Sequence, residues 1–273
     1  ASDVYKRQIL ISTKEISMSY RLKYHVCPEH GWINDPNGFS YFRGYYHLFY
    51  QYYPDEPVWG PMHWGHVRSK DLVHWENLPI ALIPGDKEDL HGCFSGSAVE
   101  YNNRLYLFYT GNIYDDPEHT TFHQNVNIAW SEDGIHFHKY EGNPVISELP
   151  EDNTYHFRDP KVWREDDHFK MIIGGQKEDG RGHVLIYQSD DLINWDYLGE
   201  YGHASTIDHE GKMWECPDLF RLNGVNVLLM SPQGIKEDGE KYRNYHQTGY
   251  KIKDTFIELD HGHDFYAATT MLA

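Results

Sequence analysis

The chain has 273 residues, of which 40% are hydrophobic, and this suffices for a substantial core in one large or two ordinary domains. Its formal net charge of -18 argues against nucleic acid or an anionic membrane as the partner. No apolar run approaches the roughly 20 residues that a membrane span needs, so we predict a soluble protein.

The first residues and the cysteines say little about function. Residues 1–8 do not share the pattern of the rest and look like a translated sequencing adapter, so we exclude them from the fold reasoning. The natural start would then be missing, and with it any sign of a signal peptide.

Cys27, Cys93 and Cys216 are odd in number and far apart, without the spacing of a metal-binding pair. Reduced thiols in the cytoplasm are the simplest interpretation.

The first distinctive element covers residues 32–38 and places Asp35 directly before a Pro-Asn-Gly sequence. Proline fixes one φ, and Asn and Gly tolerate positive φ, so we predict a turn that holds Asp35 at a rigid corner. The aromatic run 45–51 follows, without a helical stripe, which is typical of a buried strand. An Asp before a proline more often only caps its turn, but here the arrangement recurs.

Four apolar strand segments recur at intervals of about sixty residues. Their first residues lie 59, 64 and 57 positions apart: Leu48, Leu107, Met171 and Leu228. An Asp turn followed by a large aromatic residue keeps step with the first three, and the fourth has a degenerate version. Short strands without amphipathic helices at this period predict an all-β propeller whose sheets stack on one another. A β-sandwich is the alternative, but it would not give so long a repeat with two signatures in register.

The repeats stop short of a closed ring. Four units end near Asp260, and residues 263–267 look like the approach to a fifth strand. We therefore predict that residues 9–273 are a propeller interrupted inside its fifth blade. Because the ring would have an open seam and exposed strand edges, we expect poor stability and little activity for these residues on their own.

A polar motif precedes each apolar strand at nearly constant distance. One residue of each motif lies 12 or 13 positions before the strand: Asp35, Ser95, Asp159 and Glu215. Equivalent positions of successive blades lie on a ring. If the strand after each motif is the innermost one, all four motifs face the same end of the axial channel, where a pocket would form.

Three carboxylates and Arg158 that converge on one pocket need a function, because unpaired buried acids are costly. For a single motif, the simpler interpretation is that Arg158 pairs with one acid while the other acids cap turns. The convergence of all of them favours glycoside hydrolysis. In that reaction one carboxylate attacks or activates water, and another protonates the leaving oxygen.

The motifs together resemble the motif set of glycoside hydrolase family 32, the invertases, fructanases and sucrose-6-phosphate hydrolases. They comprise Trp32–Gly38, Phe94–Ser97, Phe157–Pro160 and Trp214–Pro217. The stretches most similar to bacterial sucrose-6-phosphate hydrolases are 60–66, 156–163 and 213–218. The resemblance covers the chain from about Tyr24 to its end. It implies a five-bladed propeller followed by a C-terminal β-sandwich, which this chain lacks.

The resemblance also implies a role for each acid. Asp35 would be the nucleophile that attacks the anomeric carbon of fructose, and Glu215 would be the acid/base. Asp159, with Arg158 beside it, would bind fructose hydroxyls and stabilise the transition state. The reaction would retain configuration through a fructosyl-enzyme intermediate. We predict that apolar neighbours and nearby acids raise the pKa of Glu215, and that Arg158 helps to keep Asp159 ionised.

The resemblance implies further contacts with the sugar substrate, from Asn34, Gln51, Trp59, Phe94, Ser95 and Arg158. Trp59 would offer a stacking face, although packing under a Pro/Gly loop explains it equally well, and Gln51 is equally explained as an ordinary polar strand residue. His63 and His66 have a short spacing without an acid or Cys at ligand distance, so we predict no metal site there. The mechanism requires no cofactor.

Three alternative functions stay open. Related five-bladed arabinanases and xylosidases invert configuration, and the separation of their carboxyl groups exceeds the 5 to 5.5 Å or so of retaining enzymes. A fructan hydrolase or fructosyltransferase of the same family would share every residue named above. A non-catalytic carbohydrate-binding propeller is the third, since a fold alone does not determine function. No cluster of Lys or Arg marks a site for a sugar 6-phosphate.

Overall fold

A computed structural model describes residues 22, 24–262 and 265–271 of the chain. Residues 1–8, with their predicted adapter origin, and residues 263 and 264 lie outside the described residues. Within the described part, sixteen strands form four antiparallel sheets of four strands each, which we call blades 1 to 4. The predicted all-β propeller is thereby confirmed. No helix in this part has the length and apolarity to span a membrane.

Each blade is a meander of four consecutive strands. Blade 1 contains β1 (Trp32–Phe42), β2 (Tyr45–Tyr53), β3 (His63–Ser69) and β4 (Trp75–Leu82). Blade 2 contains β5 (Cys93–Tyr101), β6 (Arg104–Tyr114), β7 (Phe122–Ser131) and β8 (His138–Lys139). Blade 3 contains β9 (Asn153–Glu165), β10 (His168–Lys177), β11 (Gly182–Ser189) and β12 (Asp196–His203). After the short helix α1 (Ile207–Glu210), blade 4 contains β13 (Met213–Leu222), β14 (Val225–Gln233), β15 (Gly249–Ile252) and β16 (Thr255–Glu258).

The strand that carries each motif lies nearest the propeller axis. Strands β1, β5, β9 and β13 contact one another in sequence around the axis, and the apolar strand that follows each is second in its blade. The prediction that the apolar strand is innermost is therefore wrong. An apolar strand fits the second position because both of its faces pack against neighbouring blades, whereas the first strand presents polar groups to the channel.

The predicted turn at Asp35 is also wrong, because residues 32–42 form one bulged strand. The pairing of β1 with β2 shifts register between Ile33 and Pro36 and again between Asn37 and Ser40. A proline without an N–H group and a glycine with positive φ suit a bulge as well as they suit a turn. Register shifts also fall at the motifs of the other three first strands, at 94–96, 158–161 and 215–218.

The Asp turns connect the third and fourth strands of blades 1 to 3. In blade 1, Asp71 Oδ1 accepts hydrogen bonds from the N–H groups of Val73 and His74 at 2.9 and 2.8 Å. Asp133 and Asp191 make the same pair of bonds in blades 2 and 3. The repeated signature therefore has a local structural cause, since the carboxylate satisfies two backbone donors of the turn.

Apolar clusters fill the interfaces between successive blades. Phe49 and Trp64 pack against Leu107 and Tyr109 between blades 1 and 2. Phe108 lies with Met171 between blades 2 and 3, and Trp214 lies with Ile172 between blades 3 and 4. Full burial of one such side chain contributes about 1.5 to 3 kcal/mol, so these interfaces hold the blades together.

Blade 1 contains a buried histidine pair. Nδ1 of His47 lies 3.0 Å from Nε2 of His66, and the ring of His66 stacks on Phe49 at 4.1 Å between centroids. Nδ1 of His66 is buried without a hydrogen-bond partner. Burial lowers the pKa of His47 to about 4 and lowers the pKa of His66 well below its usual value. His63 contacts the carbonyl oxygen of Pro61 instead, so the two histidines of the His63–His66 spacing have separate partners.

We predict that this pair destabilises the fold in mild acid. Histidines of the unfolded chain bind protons below pH 6.5 or so, whereas the folded His47 stays neutral down to a pKa of about 4. Between these values the unfolded state binds more protons, so the free energy of unfolding falls as pH falls, by up to about 1.4 kcal/mol per pH unit for each histidine. Urea unfolding of the wild type and of His66→Phe at several pH values measures this slope.

The His66→Phe variant should show a smaller loss of stability between pH 6.5 and 4.5 than the wild type. His138→Phe changes an exposed histidine of blade 2 and should leave the slope unchanged. Equal slopes in the wild type and His66→Phe would contradict this prediction.

Candidate active site

The motif residues of the four first strands meet at one end of the propeller axis. Asp35 Oδ2 accepts a hydrogen bond from Ser95 Oγ at 2.7 Å, which joins blades 1 and 2. Cys216 Sγ lies 3.6 Å from Asp35 Oδ2 and 3.7 Å from Asp159 Oδ2, which joins blade 4 to blades 1 and 3. The structure thus brings Asp35 and Asp159 to one thiol, and Glu215 precedes that thiol in the chain.

Asp35 is held by groups from two other blades. Burial raises the pKa of Asp35, and the nearby Glu215 adds to the rise, while hydrogen bonds from Ser95, Asn34 and Cys216 lower it. The net effect is a pKa above the usual value. The hydrogen bonds therefore fix the direction of the Asp35 carboxylate, but they offset only part of the rise in pKa that burial and Glu215 cause.

Asp159 lies in a bulge of β9 with a left-handed backbone, at φ 65°. Its N–H group donates to Thr110 Oγ1 at 2.8 Å, and its Oδ2 accepts from the N–H group of Cys216 at 2.9 Å. Burial raises the pKa of Asp159 to about 7, against the lowering effect of Arg158 and with the support of Glu215 and Asp35. Arg158 therefore lowers the pKa of Asp159 and favours its ionised form, as predicted, but burial and the two other acids outweigh the guanidinium.

Arg158 pairs with Glu215 across the interface between blades 3 and 4. Its Nε and Nη2 both donate to Glu215 Oε1, at 3.2 and 2.8 Å. The Tyr266 hydroxyl donates to Oε2 of the same carboxylate. Arg158 and Glu215 side chains are only 9% and 16% exposed, so little solvent weakens the pair. One acid is thus paired with Arg158 as the simpler interpretation predicts, but Asp35 and Asp159 converge on the same place instead of capping separate turns.

The other predicted sugar contacts occupy different places. Trp59 is 49% exposed and meets the ring of Phe94 edge-on at 5.9 Å between centroids. Asn34 is exposed and accepts a hydrogen bond from Trp32 Nε1 at 2.9 Å. Gln51 is buried, and its amide donates to the carbonyl oxygen of Cys93 at 2.9 Å, so it links blades 1 and 2.

Sequence reasoning did not identify every residue of the site. Cys216 reads as a small packed hydrophobic residue, yet its thiol and N–H group contact two of the acids. Burial and the three acids raise the pKa of Cys216 well above its usual value, so it remains a thiol. His156 and Tyr266 contact Arg158 and Glu215 but lie outside the four motifs. His156 directly precedes Phe157 and begins the stretch 156–163, whereas Tyr266 lies 49 positions after Pro217, so the sequence does not indicate its contact.

The axial channel continues as a narrow cavity behind the acids. Asn37 and Asp159 line it together with Lys161, whose Nζ donates to Asp218 Oδ2 at 2.9 Å. Among the described residues, no group of three or more His, Cys, Asp or Glu is arranged to hold a metal ion. The chemistry that the site offers is therefore that of three carboxyl groups, one guanidinium and their hydrogen-bond donors. Two carboxyl groups in such a hollow can attack a carbon and protonate a leaving oxygen.

Comparison with known proteins agrees with this chemistry. The family model described as the Glycosyl hydrolases family 32 N-terminal domain matches residues 25–273. The sucrose-6-phosphate hydrolase of Zymomonas mobilis subsp. mobilis is 49% identical over 266 residues, which cover 90% of this chain and 51% of that protein. The sucrose-6-phosphate hydrolase of Bacillus subtilis is 43% identical over 265 residues, which cover 92% and 54%.

The solved structures that resemble this chain include enzymes of the same family. The GH32 β-fructofuranosidase of Bombyx mori superposes with a TM-score of 0.85 at 46% identity, covering 98% of this chain and 59% of that one. The sucrose-6-phosphate hydrolase of Lactobacillus gasseri superposes with a TM-score of 0.82 at 36% identity, covering 98% and 57%. The chain spans about half the length of the curated relatives that it matches.

We predict that ionisation of Asp159 lowers the stability of the fold at neutral pH. Its pKa is about 7 in the folded state, against a usual value of 3.8. Between these values the folded state binds more protons, so the free energy of unfolding contributed by this group falls as pH rises. Asp159→Asn keeps the shape and the acceptor but cannot ionise, so the stability that it adds should be larger at pH 7.5 than at pH 4.5, by about 1 kcal/mol or more.

Urea unfolding at the two pH values measures this difference. The exposed Asp167 of the same blade serves as the control, and Asp167→Asn should change the stability little at either pH. An Asp159→Asn variant that is less stable than the wild type at pH 7.5 would contradict the prediction.

Proposed function

The chain belongs to glycoside hydrolase family 32, and from this we propose that the complete protein is a retaining β-fructofuranosidase that acts on sucrose or sucrose 6-phosphate. The observation that carries the proposal is the convergence of Asp35, Asp159 and the Arg158–Glu215 pair at one end of the axis. The relatives named as sucrose-6-phosphate hydrolases favour these substrates among the fructosides.

The proposed first step transfers fructose to the enzyme. An oxygen of Asp35 attacks the anomeric carbon while the bond from that carbon to the leaving oxygen breaks, and Glu215 gives its proton to the leaving oxygen. Ser95 and the Cys216 thiol hold Asp35 for this attack. Arg158 stabilises the Glu215 carboxylate that the proton transfer creates, through the two bonds to Oε1.

In the proposed second step, Glu215 takes a proton from water, and the water oxygen replaces Asp35 on the anomeric carbon. Asp159 binds fructose hydroxyls throughout. Because the pKa of Asp159 is about 7, this carboxyl carries a proton for part of the time at neutral pH and so both donates and accepts hydrogen bonds. That Glu215 carries the transferable proton stays a prediction.

We predict that the complete gene product hydrolyses sucrose or sucrose 6-phosphate faster than inulin or levan. Asp35→Asn removes the nucleophile and Glu215→Gln removes the acid, so each should lower kcat by about 100-fold or more. Asp167→Asn changes an exposed acid of blade 3 and serves as the control. Proton NMR of the first product separates the mechanisms, since retention releases β-fructose and inversion releases α-fructose.

An Asp35→Asn variant with wild-type activity would contradict the assignment, and α-fructose as the first product would favour the inverting alternative. Binding of sucrose without turnover by the complete protein would favour the non-catalytic alternative. Accumulation of longer oligosaccharides at high sucrose concentration would favour fructosyl transfer.

We further propose that residues 9–273 are the catalytic propeller and that a fifth blade completes the ring, with a β-sandwich after it. Residues 265–271 support this because they take the place that a first strand takes in the other blades. The N–H group of Ala267 donates to Ser231 Oγ at 3.0 Å, as that of Asp159 donates to Thr110 Oγ1 at 2.8 Å. The backbone of Ala267 is left-handed at φ 54°, like that of Asp159.

The correspondence continues three residues further along. The N–H group of Thr270 donates to Asp218 Oδ2 at 2.6 Å, and that of Val162 donates to Ser97 Oγ at 2.9 Å. The partners correspond as well, since Asp218 and Ser97 occupy the same register position in β13 and β5, opposite Leu229 and Phe108 respectively. A first strand of a fifth blade would therefore continue from Thr270.

We predict that the 273 residues alone unfold at a lower temperature than the complete gene product and have at most about one hundredth of its kcat/KM, because an unclosed ring leaves strand edges exposed. A version that ends after the fifth blade separates the effect of ring closure from that of the β-sandwich. Calorimetry and sucrose hydrolysis of the three proteins measure this, and full activity of the 273-residue chain would contradict it.

A cytoplasmic location is also part of the proposal. It is supported by Cys93 and Cys216, which form no disulfide in the structure, as is usual in a reducing compartment. Fractionation of the source cells checks it.

A further inference from the structure

Arg158 has two hydrogen-bond partners besides Glu215, and the nearer one is a histidine. Its Nη1 lies 2.9 Å from Nδ1 of His156, the residue directly before the Phe157–Pro160 motif. We propose that His156 is a positioning residue: by accepting this bond it fixes the plane of the Arg158 guanidinium and thereby aims the Glu215 carboxyl at the leaving oxygen. The inference deepens the proposed function and rests on it.

The direction of the bond is determined by the chemistry of the two groups. A guanidinium has donors only, so Nδ1 of His156 must present a lone pair, and the ring N–H lies on Nε2. Burial, Arg158 and Lys212 lower the pKa of His156 to about 4, so the ring is neutral at neutral pH and the lone pair is available.

His156 is itself held in place from several directions. The ring of Phe122 meets it edge-on at 5.2 Å, and that of Tyr155 lies 4.9 Å away, between centroids. Its N–H group donates to Thr154 Oγ1 at 3.3 Å, and its carbonyl oxygen accepts from Asn153 Nδ2 at 3.1 Å. A ring fixed by both its backbone and its face is a rigid acceptor.

Gln124 gives Arg158 a second and weaker support. Its Oε1 lies 3.4 Å from Arg158 Nη1 and also accepts from the N–H group of Phe157 at 3.1 Å, so this oxygen is shared between two donors. The nearer acceptor is His156. Since the guanidinium is planar and rigid, fixing Nη1 also fixes Nε and Nη2, the two nitrogens that donate to Glu215 Oε1.

The consequence for the reaction depends on the leaving group. In sucrose, the bond from the anomeric carbon breaks to leave a poor alkoxide, so the proton from Glu215 is needed as the bond to Asp35 forms. In a nitrophenyl β-fructofuranoside the leaving phenolate is stable without that proton. The second step, in which Glu215 takes a proton from water, is common to both substrates, so only the first step distinguishes them. A residue that acts by aiming Glu215 should therefore matter for kcat/KM, which reports the first step, with sucrose and much less with the aryl substrate.

We predict that His156→Phe lowers kcat on sucrose by about 10- to 100-fold with little change in KM, the effect of losing one hydrogen bond to a charged group. The same variant should lose less than about threefold in kcat/KM on the nitrophenyl fructoside. His156→Asn places an amide oxygen where Nδ1 lies and should recover most of the kcat on sucrose. His156→Gln places its amide where Nε2 lies and should not.

The measurement uses the complete gene product, with melting temperatures as a check on folding. His168→Phe changes an exposed histidine of blade 3 and serves as the control. If His156→Phe does not fold, the comparison of His156→Asn with His156→Gln tests the inference. Equal kcat values on sucrose for these two variants would overturn the inference, as would equal losses of kcat/KM on both substrates. A wild type that cleaves neither substrate would instead overturn the proposed function.

Discussion

The bulges in the four first strands are the constraint on which the site depends. A regular strand alternates its side chains between two faces, so it would place neighbouring motif residues on opposite sides. The register shifts at residues 33–36 and 215–218 change this alternation where the acids lie. The left-handed backbone at Asp159 and Cys216, with φ of 65° and 47°, costs of order 1 to 3 kcal/mol at each residue. The apolar interfaces between blades supply the stability that holds these conformations.

The second constraint is charge. Glu215 raises the pKa of both Asp35 and Asp159, and Arg158 makes its ion pair with Glu215. The cluster therefore differentiates three chemically similar groups. Asp35 is directed by Ser95, Glu215 is bound by Arg158, and Asp159 holds a proton up to a pKa of about 7. Unequal environments for paired carboxyl groups are what acid and nucleophile roles require.

The sequence was sufficient to predict the repeat, the fold class and the convergence of the acids. The repeat period and the motifs are visible in the sequence without knowledge of any contact. The resemblance to glycoside hydrolase family 32 is confirmed by the family match over residues 25–273. The sequence did not reveal which strand faces the axis, since apolarity reports burial and not position. Nor did it reveal the partner of Arg158: adjacency suggests Asp159, but the side chain reaches Glu215, 57 residues further on.

The surroundings of Glu215 link the proposed closure of the ring to the proposed chemistry. Oε1 of Glu215 is bound by Arg158 from blade 3, and Oε2 accepts from Tyr266, which follows blade 4. Tyr266 directly precedes Ala267, whose N–H group is fixed on Ser231 of β14. The carboxyl group of Glu215 in blade 4 is thus bound on one oxygen by blade 3 and on the other by the segment after blade 4. Displacement of the segment after blade 4 would release Oε2 of Glu215 while Oε1 stays bound to Arg158. Loss of a neighbouring strand should therefore change the hydrogen bonding of Glu215 before it unfolds the blades.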